Sequence, residues 1–231
     1  MSVFLKEIVD DGYSYFVPST LGYVLIAVIL IALVLGASFI SGDRKKLSAK
    51  QLAVSSVAIA LASVLSMVKI FHMPMGGSIT LFSMLFITLI GYWYGLRAGL
   101  MTAFAYGCIQ LILGAYIIHP VQLLIDYCFS FAALGLSGFF KGKKYGMIAG
   151  YLLGVTGRFV FSFISGMVFF GSAASEYSMS IPIYSAVYNG AYLYGEALLT
   201  VVILLIPAVR KGLDRIGRIS SEDGKRSVKS E

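Results

Sequence analysis

Residues 51–71 read QLAVSSVAIALASVLSMVKIF, an apolar run whose single charged residue, Lys69, stands near its end. About 20 predominantly apolar residues are enough for a helix to cross the hydrocarbon core of a bilayer. The run therefore predicts a transmembrane helix. The whole chain agrees with this prediction, because 58% of its 231 residues are hydrophobic and 13% are charged, whereas a soluble domain carries about 25% charged residues.

Further apolar runs lie on both sides of this segment, separated by short breaks rich in Gly, Pro, Ser or Lys. One run precedes it at 21–41, and the others follow at 79–94, 98–114, 120–140, 146–170 and 183–209. We therefore predict an all-α integral membrane protein. Its six-helix core, residues 51–210, is preceded by one extra N-terminal transmembrane helix.

Basic residues indicate the orientation of the chain. If the basic loop 42–50 is cytoplasmic and the chain alternates, 15 of the 18 Lys and Arg residues lie on the cytoplasmic side, all but Lys6, Lys69 and Arg158. This bias is the positive-inside signature of a multi-pass membrane protein. It predicts an extracellular N-terminal segment, residues 1–20, and a charged cytoplasmic tail, residues 211–231. We expect residues 212–231 to be frayed. Nucleic acid is not an expected partner.

Two of the apolar runs, 79–94 and 98–114, are short for a full crossing. The stretch Gly-Gly-Ser-Ile-Thr at 76–80 precedes the first of them and could enter the protein. Irregular backbone is tolerated at membrane depth only where protein or a water-filled cavity lines it. The pattern therefore points to a pocket on the outer side.

Three ionisable residues, Asp126, Arg158 and Glu196, fall inside predicted spans. A charge at the centre of a transmembrane helix costs about 2.5–3.5 kcal/mol on insertion scales. Each of these residues therefore needs a partner or an aqueous cavity. One interpretation is a structural ion pair between Arg158 and either carboxylate, and the other is a functional site.

Asp126 favours the functional interpretation, because it lies about 9 Å below the outer end of its helix at 1.5 Å per residue. Tyr127 follows it, and the last predicted helix carries Tyr184, Tyr188 and Asn189 at a similar depth. An acid, an amide and several phenols at one depth would suit an aromatic cationic ligand. The tyrosines could also form an interfacial belt. His119, in a predicted outer loop, is a candidate ligand residue or simply an exposed side chain.

Small residues recur along one helix in the run 51–71, among them Ser56, Ala60 and Ser63. Helices associate in lipid where small side chains let their backbones approach closely. The stripe predicts either packing inside this protein or docking to a separate membrane subunit.

No motif in the chain provides a nucleotide or metal site. The sequence has no Walker A loop and no Cys/His metal spacing, and Cys108 and Cys128 both fall in apolar runs as small buried side chains. We therefore expect no metal and no cofactor in this chain.

The core from about 50 to 210 resembles the thiamin-specific S component of energy-coupling factor (ECF) transporters. The resemblance rests on the order and spacing of several segments. They are Ala60-Leu61-Ala62-Ser63-Val64-Leu65-Ser66, Met75-Gly76-Gly77-Ser78-Ile79-Thr80-Leu81, His119-Pro120-Val121-Gln122, Asp126-Tyr127, Tyr184-Ser185 and Tyr188-Asn189-Gly190.

The resemblance implies a six-helix S-component fold in a bacterial plasma membrane, which captures thiamin from outside. It also implies partners, namely a transmembrane coupling subunit and two ATPase subunits that use the ATP. The family's docking surface maps onto Ser56 and Ala60. Its substrate-binding residues map onto Asp126, Tyr127, Tyr184 and Asn189.

This chain departs from the family pattern at three positions of the implied pocket. Asp126 stands where the family has Glu, Ser162 where it has His, and Phe170 where it has Trp. Alternative functions are an S component for another small vitamin or precursor, and a secondary transporter in which Asp126 and Glu196 couple to protons. A membrane enzyme is disfavoured, because no nucleophile and base pair is visible.

Overall fold

The computed structural model describes residues 5–10, 13–21, 24, 25, 28 and 47–226. Most of the predicted extra helix, 21–41, and residues 42–46 of the basic loop lie outside the described residues. Before them, β1 (Leu5–Asp10) and β2 (Tyr13–Pro18) form an antiparallel hairpin in which Leu5 is opposite Pro18.

Helices account for most of the described core. In chain order they are α1 (Ala49–Met67), α2 (Ser83–Tyr94), α3 (Leu96–Gly114), α4 (Pro120–Phe140), α5 (Gly146–Phe169), the short α6 (Gly171–Glu176), α7 (Ile181–Leu205) and α8 (Pro207–Arg226). Five of them, α1, α3, α4, α5 and α7, are long and apolar enough to cross a membrane. The predicted all-α membrane architecture is therefore confirmed, and each of the six predicted core spans contains a helix.

The predicted span 51–71 ends earlier than its hydrophobicity suggests. A capping box between Ser48 and Gln51 starts α1, and the helix stops at Met67. The next residues form β3 (Lys69–His72), which pairs antiparallel with β4 (Ser78–Thr80). The chain becomes a hairpin here because β-prone residues meet a Pro and Gly turn at 74–77.

The helix α2 is too short to cross the hydrocarbon core of a bilayer by itself. The 12 residues of α2 span about 18 Å, less than the roughly 30 Å of a bilayer core. The strand β4 leads almost directly into α2, and Thr80 at its end is buried. This arrangement agrees with the expectation that residues 76–80 enter the protein.

The irregular helix α4 packs closely against its neighbours. A Cβ added to Gly135 would lie 2.3 Å from the Leu100 nitrogen, and one on Gly138 would lie 2.3 Å from the Leu96 nitrogen. These contacts let α3 and α4 meet backbone to backbone. Residues Leu124–Phe129 of α4 form a π-helical segment, a distortion that is frequent at functional sites.

The end of the chain differs from its prediction. The span predicted at 183–209 ends at Leu205, and Pro207 opens a new helix, α8. The expected fraying is wrong for residues 212–226, which are helical. Contacts with the bundle order α8, for example the Lys50 Nζ that donates to the Ile219 carbonyl at 3.0 Å. The break between the predicted spans 146–170 and 183–209 likewise contains a helix, α6.

Candidate functional site

A cavity of about 410 Å³ opens at one end of the helix bundle. Its lining includes the end of α1 at Met67, the start of α2 at Ser83 and the first turn of α7 at Tyr184. The volume lies within the usual range of about 300–1,000 Å³ for small-molecule sites. The basic turn Lys141–Lys144 and α8 lie at the other end of the bundle, because they adjoin the opposite ends of the same helices.

Asp126 reaches this cavity from the π-helical segment of α4. Gln122, which is 2% exposed, donates from Nε2 to the Asp126 Oδ2 at 2.7 Å and to the Tyr116 carbonyl at 3.1 Å. The Gln122 Oε1 accepts from the Ile118 amide at 3.3 Å. Gln122 thereby fixes the carboxylate against the loop that precedes α4.

Aromatic rings form two walls of the cavity. On one wall Tyr116 and Phe170 stack with centroids 6.2 Å apart, and the Tyr127 hydroxyl accepts from the Tyr116 amide at 2.8 Å. On the other wall Tyr184, Tyr188 and Tyr192 follow each other along α7 with successive centroids 5.8 Å apart. Their spacing of four residues places them on one stripe of the helix.

Asn189 and Ser162 add polar groups between the walls. The Asn189 Nδ2 donates to the Ser185 carbonyl at 2.9 Å, and its Oδ1 accepts from the Tyr192 hydroxyl at 3.0 Å. The Ser162 and Ser130 hydroxyls lie 3.0 Å apart. These contacts orient the amide and the phenol before any ligand arrives.

Arg158 lines the cavity without an ion pair to Asp126 or Glu196 among the described residues. Its guanidinium lies 3.9 Å from the centroid of the Phe131 ring, a cation–π contact. Its buried Nε has no hydrogen-bond partner within residues 47–226. The structural ion pair considered from the sequence is therefore not formed in this part of the chain.

Glu196, which is 3% exposed, caps the start of α2 across the bundle. Its Oε2 accepts from the Thr80 amide at 3.3 Å and from the Thr80 hydroxyl, and its Oε1 accepts from the Ser83 hydroxyl at 3.2 Å and the Met84 amide at 3.0 Å. A carboxylate is favourable at a helix N-terminus because it pairs with unbonded amides. Four hydrogen bonds thus hold the β4–α2 junction, which forms part of the cavity wall, to α7.

The structure brings seven predicted site residues to the cavity lining: Asp126, Tyr127, Ser162, Phe170, Tyr184, Tyr188 and Asn189. His119 is not among the lining residues. Its Nδ1 accepts from the Val121 amide at 3.1 Å, and its ring stacks on Phe169 at 5.4 Å. The sequence interpretation missed Tyr116 and Gln122, although a glutamine four residues before an acid on one helix is a usable signal.

The small residues of α1 divide between two faces. Ala58 and Ala62 are 5% and 0% exposed and pack inside the protein, whereas Ser56 and Ala60 are exposed. Ser63 is half-buried. Exposed apolar side chains surround the outer face, among them Val57, Leu61 and Val64. One side of the stripe therefore packs inside the protein, and on the other side Ser56 and Ala60 lie among exposed apolar side chains.

The model of the family described as Thiamine transporter protein (Thia_YuaJ) matches residues 52–213. The chain belongs to the thiamine transporter family. The match covers the six-helix core and the first turns of α8, so the family resemblance predicted from the sequence is confirmed.

Relatives of this thiamine transporter family member include two curated proteins described as Thiamine transporter ThiT. The one from Bacillus subtilis (strain 168) is 33% identical over 170 residues, which are 68% of this chain and 87% of that protein. The one from Lacticaseibacillus paracasei is 28% identical over 131 residues, 47% of this chain and 64% of that protein.

A solved structure of ThiT from Listeria monocytogenes has the same fold. The two structures superpose with a TM-score of 0.59 at 24% sequence identity. The superposed region covers 69% of this chain and 96% of the Listeria chain. The solved structure thus shows the fold of this family member. Its transport class is shown by the family match and the Bacillus subtilis relative.

Proposed function

We propose that this protein captures thiamin in the cavity between α4 and α7 and passes it to a separate ATP-driven module of the ECF type. One observation carries the assignment of the site. In a member of the thiamine transporter family, a carboxylate held by Gln122 faces a cavity walled by aromatic rings. Thiamin joins a positively charged thiazolium ring to an aminopyrimidine, so it needs a countercharge and flat apolar surfaces.

The residues of the cavity divide these tasks. Asp126 neutralises the thiazolium charge, and the rings of Tyr127, Tyr184 and Phe170 stack on the ligand or make cation–π contacts. The side-chain amide of Asn189 forms hydrogen bonds with a polar edge of the pyrimidine. A buried site strengthens these interactions, because the protein around the charge screens it less than water does.

The three departures from the family pattern act on the shape of the site. Asp126 is one methylene shorter than Glu, Ser162 is smaller than His, and Phe170 is smaller than Trp. Each change leaves more room, so the ligand sits deeper towards α4, or a somewhat larger thiamin-like molecule fits as well. Isothermal titration of the purified protein with thiamin tests the proposal.

Saturable binding of one thiamin per chain is the expected result of that titration. Pyridoxine, a neutral aromatic vitamin, is the matched control, because it offers a flat ring without a fixed positive charge. Saturable binding of pyridoxine with none of thiamin would contradict the thiamin site and favour an S component for another vitamin.

The outer face of α1 is the proposed docking surface for the coupling subunit. Ser56 and Ala60 are exposed there, and α1 is the least buried of the five long helices. A smooth strip of small side chains allows a partner helix to approach closely. Two ATPase subunits then supply the energy, and this chain contributes the captured vitamin.

A substitution on this face separates docking from binding. We expect Ala60→Leu to leave thiamin binding intact and to block uptake by cells that carry the complete transporter, because the added side chain keeps the partner helix away. Ala191→Leu, an exposed alanine on α7, is the matched control and keeps uptake. Loss of binding by purified Ala60→Leu protein would show instead that the outer face is internal packing.

The positive-inside bias supports an orientation with the cavity outside and α8 in the cytoplasm. Lys141, Lys143 and Lys144 lie in the turn between α4 and α5, at the end of the bundle away from the cavity. A cysteine introduced at Lys144 is expected to react with membrane-permeant maleimides only. Labelling of intact cells by an impermeant maleimide would reverse the orientation.

A further inference from the structure

The helix α8 extends beyond the family match. The match ends at residue 213, seven residues into the helix, and α8 continues to Arg226. The proposed transport function uses none of these residues. Their order and charge therefore call for a separate explanation.

Contacts show that α8 runs across the end of the bundle. It starts beside the end of α7, the Tyr92 hydroxyl donates to the Asp214 Oδ1 at 3.3 Å, and the Lys50 amine donates to the Ile219 carbonyl at 3.0 Å. Tyr92 lies near the end of α2 and Lys50 in the first turn of α1. Residues 207–219 rise about 18 Å, which equals two helix-to-helix spacings of roughly 8–10 Å.

The single tryptophan of the chain fixes this position. A Cβ added to Gly217 would lie 2.4 Å from the Trp93 Cδ1, so the indole ring packs directly on the α8 backbone. Because α8 crosses the ends of three packed helices, it lies where the membrane-spanning part of the bundle meets water.

The circumference of α8 divides into a buried sector, an exposed apolar sector and an exposed basic sector. Gly217 and Ser220 are buried against the bundle. Ile216 and Ile219, which are 51% and 52% exposed, come next. The third sector is basic and exposed: Lys211, Arg215 and Arg218. At 100° per residue, the two isoleucines lie between the buried sector and the basic sector.

We propose that α8 is an interfacial helix that binds the anionic lipid surface of the membrane. Ile216 and Ile219 enter the boundary between headgroups and acyl chains, and Lys211, Arg215 and Arg218 pair with lipid phosphates. A bilayer necessarily surrounds a membrane-spanning bundle at its ends, so lipid is the molecule that lies next to the exposed face of α8. The charge fits as well, since residues 207–221 hold four basic residues and one acidic residue, Asp214.

Spin labels on α8 test its depth. Single labels are placed on Ile219→Cys and Lys211→Cys, in a background where Cys108 and Cys128 are replaced by serine and alanine. The proteins are reconstituted in vesicles of phosphatidylcholine with phosphatidylglycerol, and Trp93 emission verifies that α8 is docked. Molecular oxygen, which enters lipid, should relax the label at 219 more than a water-soluble nickel chelate does, and the order should reverse at 211.

Equal exposure of both labels to the nickel chelate would overturn the proposal, because α8 would then lie in water. Immobilisation of the label at 219 in detergent, without lipid, would also overturn it and would indicate a protein contact such as a second copy of the chain.

The contribution of charge is tested by removing it. The double variant Arg215→Gln/Arg218→Gln should lower the oxygen preference of the label at 219 in vesicles with phosphatidylglycerol. In pure phosphatidylcholine it should change little. Lys143→Gln/Lys144→Gln removes the same charge at the same end of the bundle, away from α8, and is the matched control. An equal loss in both double variants would contradict specific pairing of α8 with headgroups.

Discussion

The two ends of the helix bundle are built on different principles. At the end with the basic turn, backbone packs on backbone, as where Gly138 meets Leu96, and the Lys141 amine donates to the Tyr94 carbonyl at 2.9 Å. At the cavity end, α1 is followed by a hairpin, part of α4 is π-helical, and polar side chains line the cavity. Close packing at the end with the basic turn therefore stabilises the fold. Less regular packing at the cavity end leaves room for a ligand.

Loss of the cavity carboxylate should give the largest effect on binding. Asp126→Asn removes the countercharge while it keeps the shape, so we expect the dissociation constant of thiamin to rise roughly 30- to 1,000-fold, on the order of 2–4 kcal/mol. Isothermal titration measures the change. Asp214→Asn on α8, at the opposite end, is the control and should bind like the parent protein.

A glycine at the packed end should affect stability instead. Gly138→Ala places a Cβ 2.3 Å from the Leu96 nitrogen, and such overpacking costs about 1–3 kcal/mol of unfolding free energy. The thermal midpoint in detergent should fall, and thiamin affinity at a temperature where the protein is folded should stay the same. Gly212→Ala, where a Cβ meets nothing within 4 Å, should not lower the midpoint.

Glu196 affects both the fold and the binding site, because it stabilises a wall of the cavity. Glu196→Gln keeps one acceptor oxygen and turns an amide towards groups that themselves donate. We expect thiamin affinity to fall about tenfold, which corresponds to roughly 1.4 kcal/mol, as the β4–α2 junction loosens. Glu176→Gln, an exposed acid at the end of α6, is the matched control. Equal affinities for the two variants would show that the junction holds without the carboxylate.

Sequence patterns predicted the parts of the fold that depend on local periodicity. The apolar runs predicted the core helices, and the positions of Tyr184, Tyr188 and Asn189 in the last run predicted their similar depth. The hairpin after Met67 was missed because Val68 to Phe71 continue an apolar run that a helix could also use. The helix α8 was missed because its composition is polar, and its order comes from Trp93 and Lys50 on distant segments.

The site was predictable to a similar extent. Asp126 and Tyr127 could be identified from the sequence, because placing a charge or a polar hydroxyl within an apolar span costs free energy. Such residues therefore indicate a partner or a functional site. The role of Glu196 was not visible, because its partners Thr80 and Ser83 lie more than 110 residues away along the chain. Ion pairing of Arg158 was one of two sequence interpretations, and the Phe131 ring takes the place of a carboxylate partner among the described residues.

A crystal structure of the protein with bound thiamin tests the central claim most directly. We expect the thiazolium ring beside the Asp126 carboxylate, within the roughly 6 Å over which an opposite charge acts strongly, and the pyrimidine between the aromatic walls. Thiamin bound elsewhere, or an Asp126 carboxylate turned towards Arg158 and away from the ligand, would contradict the account.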